Sequence, residues 1–225
     1  MGQITHSLIR ALLLVAGASA ALFVHAEEPP EKLFRAFSAC DRTFFDQLHA
    51  EQATWSHHMR LGTRGSVAYP LVPNRLREGQ RIQMFEKPLH VGGIELVGYY
   101  DESSEIVGVG KFTYWGFIAK GGVDSTVEKI RPYVIDGERL TKDEVGGWSR
   151  TERRYIGDPI DRWSKETIPS NSPPRAGTVE RALIFDDNEE TIGKDRVEIQ
   201  CTVQGALTPA LLMRLRPDLD DKDMP

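Results

Sequence analysis

The side chains able to do chemistry fall into a few groups. Cys40 and Cys201 could pair with each other, oxidise or hold a metal. Asp46 and His49 stand three apart, the spacing at which an acid and an imidazole on one helix turn could pass a proton. His57, His58 and Met59 adjoin one another and offer donors suited to copper or nickel, although such runs more often finish a helix. Arg60, Arg64, Arg75, Arg77 and Arg81 share a stretch with a single acid, Glu78. They either solvate a loop or face an anion: a phosphate, a lipid headgroup or an acidic partner. Aromatic residues gather between Phe85 and Phe117, where Tyr99, Tyr100, Phe112, Tyr114, Trp115 and Phe117 could fill a core or line an apolar ligand pocket.

The motifs that announce a reaction are missing. Gly110-Lys111 has Glu105 where a phosphate-binding loop needs its first glycine, and Phe112 where it needs Ser or Thr. No G-x-S-x-G elbow and no H-E-x-x-H zinc pattern occurs. Without C-x-x-C spacing, nothing tunes a catalytic thiolate. No catalytic residue, metal or cofactor is therefore assigned. The reading is a binding protein for an unknown protein or a small apolar ligand. The alternatives are an inhibitor that offers an acidic surface to a basic partner, and a small hydrolase or isomerase with an unmarked acid–base site, Asp46–His49 among them.

Composition narrows the classes further. The chain has 225 residues, with 28 Lys plus Arg against 33 Asp plus Glu. Hydrophobic residues make up 40% and charged residues 27%, which excludes wholesale disorder and leaves enough apolar side chains for one good core. Two cysteines are too few for a disulfide-framework miniprotein. The acidic balance argues against nucleic acid as a partner.

At the N-terminus Arg10 is followed by an unbroken apolar or small stretch over 11–24, then by Val24-His25-Ala26. A basic start, an apolar centre and a small-x-small exit read as a cleaved export signal over 1–26. The apolar run is shorter than the ~20 residues of a membrane span, so no stable anchor is expected after cleavage. Phe37-Ser38-Ala39-Cys40 faintly suggests a lipidation box, but Glu27, Glu28, Glu31, Lys32 and Arg35 separate it from the apolar run. The expected destination is the periplasm or the exterior, and removing Arg10 leaves the chain one unit more acidic than its full-length charge of −5.

The elements that must position these groups read as α+β. From Glu31 to Trp55, Leu33, Phe34, Phe37, Cys40, Phe44, Phe45 and Leu48 recur at three and four, the stripe of one long amphipathic helix started by Pro29-Pro30. Over 196–204, Val197, Ile199, Cys201 and Val203 alternate with polar residues, a half-buried strand. Both cysteines therefore face a core, and in an oxidising compartment they are expected to staple the helix to the strand. Residues 60–81 read as a loop. A strand over 93–101 sets Ile94, Leu96 and Tyr100 against Val97 and Tyr99. A turn at 101–105 precedes a second strand over 106–119.

In that second strand Phe112, Tyr114 and Ile118 oppose Trp115 and Phe117, so it should be covered on both faces or border a cavity. Capping boxes at Ser125–Glu128 and Thr141–Glu144 predict two short helices, and Trp148–Ile156 reads as a strand. A long loop covers 157–177. A hairpin pairs 178–186 with 196–204, and a last helix begins at Thr208-Pro209. The expected plan is an antiparallel sheet with the N-terminal helix packed on it, one domain over 27–217, and a flexible acidic tail over 218–225.

Overall fold

The computed structural model describes residues 28–168 and 172–224. The expected export signal over 1–26 lies outside the described residues. The fold is α+β, built on a large antiparallel sheet with short helices. Its strands are β3 (Ile82–Val91), β4 (Ile94–Ile106), β5 (Gly110–Lys120), β6 (Thr141–Lys142), β7 (Trp148–Tyr155), β8 (Ser164–Glu166), β9 (Thr178–Asp186) and β10 (Arg196–Gly205). They lie in the order β3-β4-β5-β10-β9-β7-β6, with β8 on β7. A separate hairpin, β1 (Leu61–Arg64) and β2 (Val67–Pro70), occupies part of the stretch expected to be loop.

The expected single helix from Glu31 to Trp55 is broken into α1 (Pro29–Ser38), α2 (Thr43–Ala50) and α3 (Gln52–Trp55). The break falls at Cys40, which adopts a left-handed φ of 53°. A residue without helical dihedrals cannot continue the i to i−4 ladder. Asp41 then restarts the chain, its carboxylate accepting from the Thr43 amide at 2.9 Å and the Thr43 hydroxyl at 2.7 Å. The apolar stripe survives the break because both pieces lie on the same sheet face. Leu33, Phe34, Phe37, Phe44, Phe45 and Leu48 are all buried there.

Phe117 of β5 is the hub of this core. Its ring centroid lies 4.9 Å from Phe37, 5.8 Å from Phe44 and 5.9 Å from Tyr99, each pair edge-to-face. Cys40 and Cys201 form the expected disulfide, with Cα atoms 5.2 Å apart across 161 residues of chain. Closing so long a loop restricts the unfolded chain by about 5 kcal/mol in the chain-entropy model.

Several local expectations are corrected. β4 runs on through 101–105, and the turn falls at 107–109. Register slips between Leu96 and Gly98, a bulge that inverts the alternation. Val97 and Tyr100 consequently share one face, while Leu96 and Tyr99 share the other. α4 (Val123–Ile130) begins two residues before the expected cap, and Ser125 instead donates to the Gly122 carbonyl. Thr141-Lys142 is the edge strand β6 and not a helix start.

The turn between β9 and β10 carries the short α5 (Glu189–Ile192). α6 (Pro209–Leu215) starts as expected, with the Thr208 hydroxyl accepting from the Leu211 amide. The C-terminal residues differ most from expectation. Asp218 and Leu219 are buried, and 220–223 close in a capped turn.

Candidate ligand-binding face

The sheet has two unlike faces, and β5 serves both. Trp115 and Phe117 point into the helix-covered core with Tyr99, so three of the six candidate aromatics are core residues. Phe112 and Tyr114 point to the opposite, second face, where the bulge also sends Tyr100. Phe112 and Tyr114 stack with centroids 6.2 Å apart and planes 12° from parallel. At one end of this face Ile192 of α5 packs with Val97 and Ile118, and Ile82 joins them. Toward the other end, on β7, Ser149 donates to the carbonyl of Ile168.

Between these ends lies a position without a side chain. Gly116 is opposite Tyr100 on β4 and opposite Gln200 on β10. Along β5 it is flanked on the same face by Tyr114 and Ile118. A Cβ at Gly116 would collide with the Ile199 carbonyl, so the close approach of β5 to β10 demands glycine. Gly116 thus lets β5 and β10 close together, in a patch of the second face shared with Tyr100, Tyr114, Ile118 and Gln200. Glu198 and Thr202 of β10 and Glu102 of β4 stand at the corners of this patch by register.

The charges at these corners are handled unequally. Glu102 accepts from the Tyr100 hydroxyl and pairs with Arg81 at 3.1 Å. Glu198 is 3% exposed, and its Oε1 has no hydrogen-bond partner. Among the described residues none forms an ion pair with it. Burial pushes the Glu198 carboxyl up from 4.5 to about 7, and the neighbouring acids Asp186 and Glu102 push it the same way. Asp186, its cross-strand neighbour on β9, is raised by its own partial burial. Burial and the nearby Glu102 and Glu198 push the Tyr114 phenol up to about 12, so it remains a neutral hydroxyl. The Thr202 hydroxyl is also buried without a partner.

The arginines expected to face an external anion have mostly found internal ones. Arg64 reaches Asp220 at 2.5 Å. Arg75 is buried, 3.6 Å from Asp101, 3.5 Å from Asp218 and 3.9 Å from Asp223. Arg81 belongs to Glu102. Only Arg60 and Arg77 of the five present exposed side chains, and they do not assemble a shared site. The acidic stretch expected to be a loose tail is what occupies Arg64 and Arg75, because opposite charges held close exclude the water each would otherwise keep.

The remaining candidates separate in space or in partner. Asp46 pairs at 3.0 Å with Arg42, the residue that caps the start of α2, while His49 is exposed. Met59 is buried, and His58 contacts the Lys87 carbonyl through Nδ1 at 3.1 Å, so His57, His58 and Met59 do not converge. Among the described residues no group of three or more His, Cys, Asp or Glu could hold a metal.

Sequence reasoning missed Glu198 because an acid at an alternating strand position reads as solvent-facing. The available signal was the apolar character of the neighbouring strand on both faces, which sets Glu198 opposite the buried Ile118. No family model, curated protein or solved structure matches this chain.

Proposed function

We propose that this chain is an exported, non-catalytic binding protein that holds a small molecule with a sizeable apolar part on the second face of its sheet, beside Phe112 and Tyr114. The observation that carries this reading is the stacked Phe112–Tyr114 pair beside Tyr100, on the face turned away from the helix-packed core. Aromatic rings with polar groups at the margin are the usual lining of a small-molecule site. Export is supported by the signal pattern over 1–26 and is consistent with the Cys40–Cys201 bridge, since disulfides persist in oxidising compartments. Among the described residues no helix is long and apolar enough to cross a membrane.

The test is titration with the neutral fluorophore N-phenyl-1-naphthylamine. Its emission should rise on binding the wild-type chain, and Tyr114→Ala and Phe112→Ala should each weaken binding roughly tenfold, about 1.4 kcal/mol. Met213→Ala, on the exposed side of α6, should leave binding unchanged. Emission that does not rise, or that ignores both aromatic variants, would remove the reading.

A further inference from the structure

We infer that the tip of the β4–β5 hairpin, together with the end of β7, docks on the surface of a phospholipid bilayer, in a reversible contact and not as an anchor.

The tip is apolar where its turn does not require it. The Val109 amide donates to the Ile106 carbonyl at 2.9 Å, and Gly108 at φ 81° supplies the left-handed position of the turn. Nothing in that geometry calls for apolar neighbours. The β1–β2 and β3–β4 hairpins turn on Gly65-Ser66 and Gly92-Gly93. Here Ile106, Val107 and Val109 are all exposed, Val107 by 95%. Chain neighbours aside, no described atom lies within 4 Å of where a Cβ of Gly108 would sit, so the tip stands clear of the fold.

A second apolar point lies at the same end of the sheet. Lys111 of β5 is opposite Gly205 of β10, Gly205 is opposite Val179 of β9, and Thr178 is opposite Tyr155 of β7. Tyr155 and Ile156 are both exposed there. Three strand spacings, about 14 Å, separate the two points.

Charge and area select the occupant. Glu105 and Lys111 are opposite each other at the base of the tip, and Arg175 and Asp158 lie beside β9 and β7. Two cations offset two acids, so this end favours neither an acidic nor a basic partner. A stable protein interface uses roughly 20–30 residues on each side, far more than two apolar points supply. A bilayer surface takes separate protruding side chains without a matching socket, and buried apolar area sets the strength of the contact. Tyr155, a ring that ends in a hydroxyl, suits the boundary between headgroups and tails.

The mature chain left after signal cleavage is floated with phosphatidylcholine vesicles. It should rise with them, and raising the salt to about 0.5 M should leave the bound fraction within about twofold. Val107→Asp should lower binding roughly tenfold or more, and Ile156→Asp severalfold. Met213→Asp, at an exposed apolar side chain of α6, should change nothing. If Ile156→Asp fails to fold by circular dichroism, Ile156→Ser takes its place. Val107→Asp should still bind the naphthylamine fluorophore, so this surface and the aromatic face can fail separately.

A wild type that does not float, or flotation that survives both Val107→Asp and the Ile156 variant, would overturn the lipid assignment. So would flotation that requires anionic phosphatidylglycerol, or a vesicle-free dimer that Val107→Asp dissociates.

Discussion

The two faces of the sheet each bury charge, and they treat it in opposite ways. On the core face Arg216 is wholly buried, 2.9 Å from Asp101 and 2.8 Å from Asp218, with Arg75 near both acids. Its guanidinium lies 4.5 Å over Trp115 and 5.3 Å over Phe45. Burial works against this charge, but Asp101 and Asp218 outweigh it and hold the guanidinium more firmly protonated than in water. Two cations answer two acids. On the second face Glu198 forms no ion pair among the described residues, and burial together with the nearby Asp186 and Glu102 pushes its carboxyl up. The first cluster keeps its charges by pairing them, while the buried acid of the second is eased by holding its proton.

The contrast can be broken experimentally, and the largest effect is expected on the core face. Arg216→Ala should destabilise by about 3–5 kcal/mol, because it strands Asp101 and Asp218 in the interior. Urea denaturation midpoints would show this, and a loss below about 1 kcal/mol would mean that the cluster is hydrated and loose. Reducing the Cys40–Cys201 bridge should lower stability by about 2–5 kcal/mol, and intact mass should rise by two hydrogens on reduction. Both changes act on the core face, so neither should alter binding of the naphthylamine fluorophore by whatever protein remains folded.

On the second face the sign reverses. The folded carboxyl of Glu198 titrates near 7 against an ordinary value of 4.5. The native state then binds a proton more tightly than the unfolded chain, so this group's contribution falls as pH rises from about 4.5 through 7. Glu198→Gln should therefore stabilise the ligand-free protein at pH 8 by on the order of 1–3 kcal/mol and change little at pH 4. A variant that destabilises equally at both pH values would place a hidden cation beside Glu198. The smallest effect is expected at the rim of the core cluster. Arg64 and Asp220 are partly solvent-exposed, and Arg64→Ala should cost less than about 1 kcal/mol, declining with salt.

Much of this was legible in residue patterns, for reasons that vary by element. The disulfide could be read because each cysteine sits on an apolar stripe of its own segment. The helix break at Cys40 could not, since the stripe continues across it and a left-handed residue leaves no trace in periodicity. The double coverage of β5 was legible from Phe112 and Tyr114 opposing Trp115 and Phe117. The assignment of Tyr99 and Tyr100 was inverted because the bulge at 96–98 shifts the count by one. Local composition showed arginines near 60–81, but their partners Asp218, Asp220 and Asp223 lie far along the chain. Only the fold brings the two stretches together. The site followed the same rule. Its aromatic rings were visible, whereas the isolation of Glu198 depends on three strands meeting.

One feature of the sheet also governs the order in which the protein can be made. β10 is the last strand synthesised, yet it lies between β5 and β9, joining the meander β3-β4-β5 to the β9-β7-β6 half. Until it emerges, both inner edges stand open with unpaired backbone, and Cys40 has no Cys201 to meet. The two halves cannot close one after the other as the chain lengthens. They wait for the C-terminal segment and then close together, a late and non-local step of the kind that slows folding. A chain cut short before 196 would lack its seam, and its two exposed edges would be open to pairing with other chains.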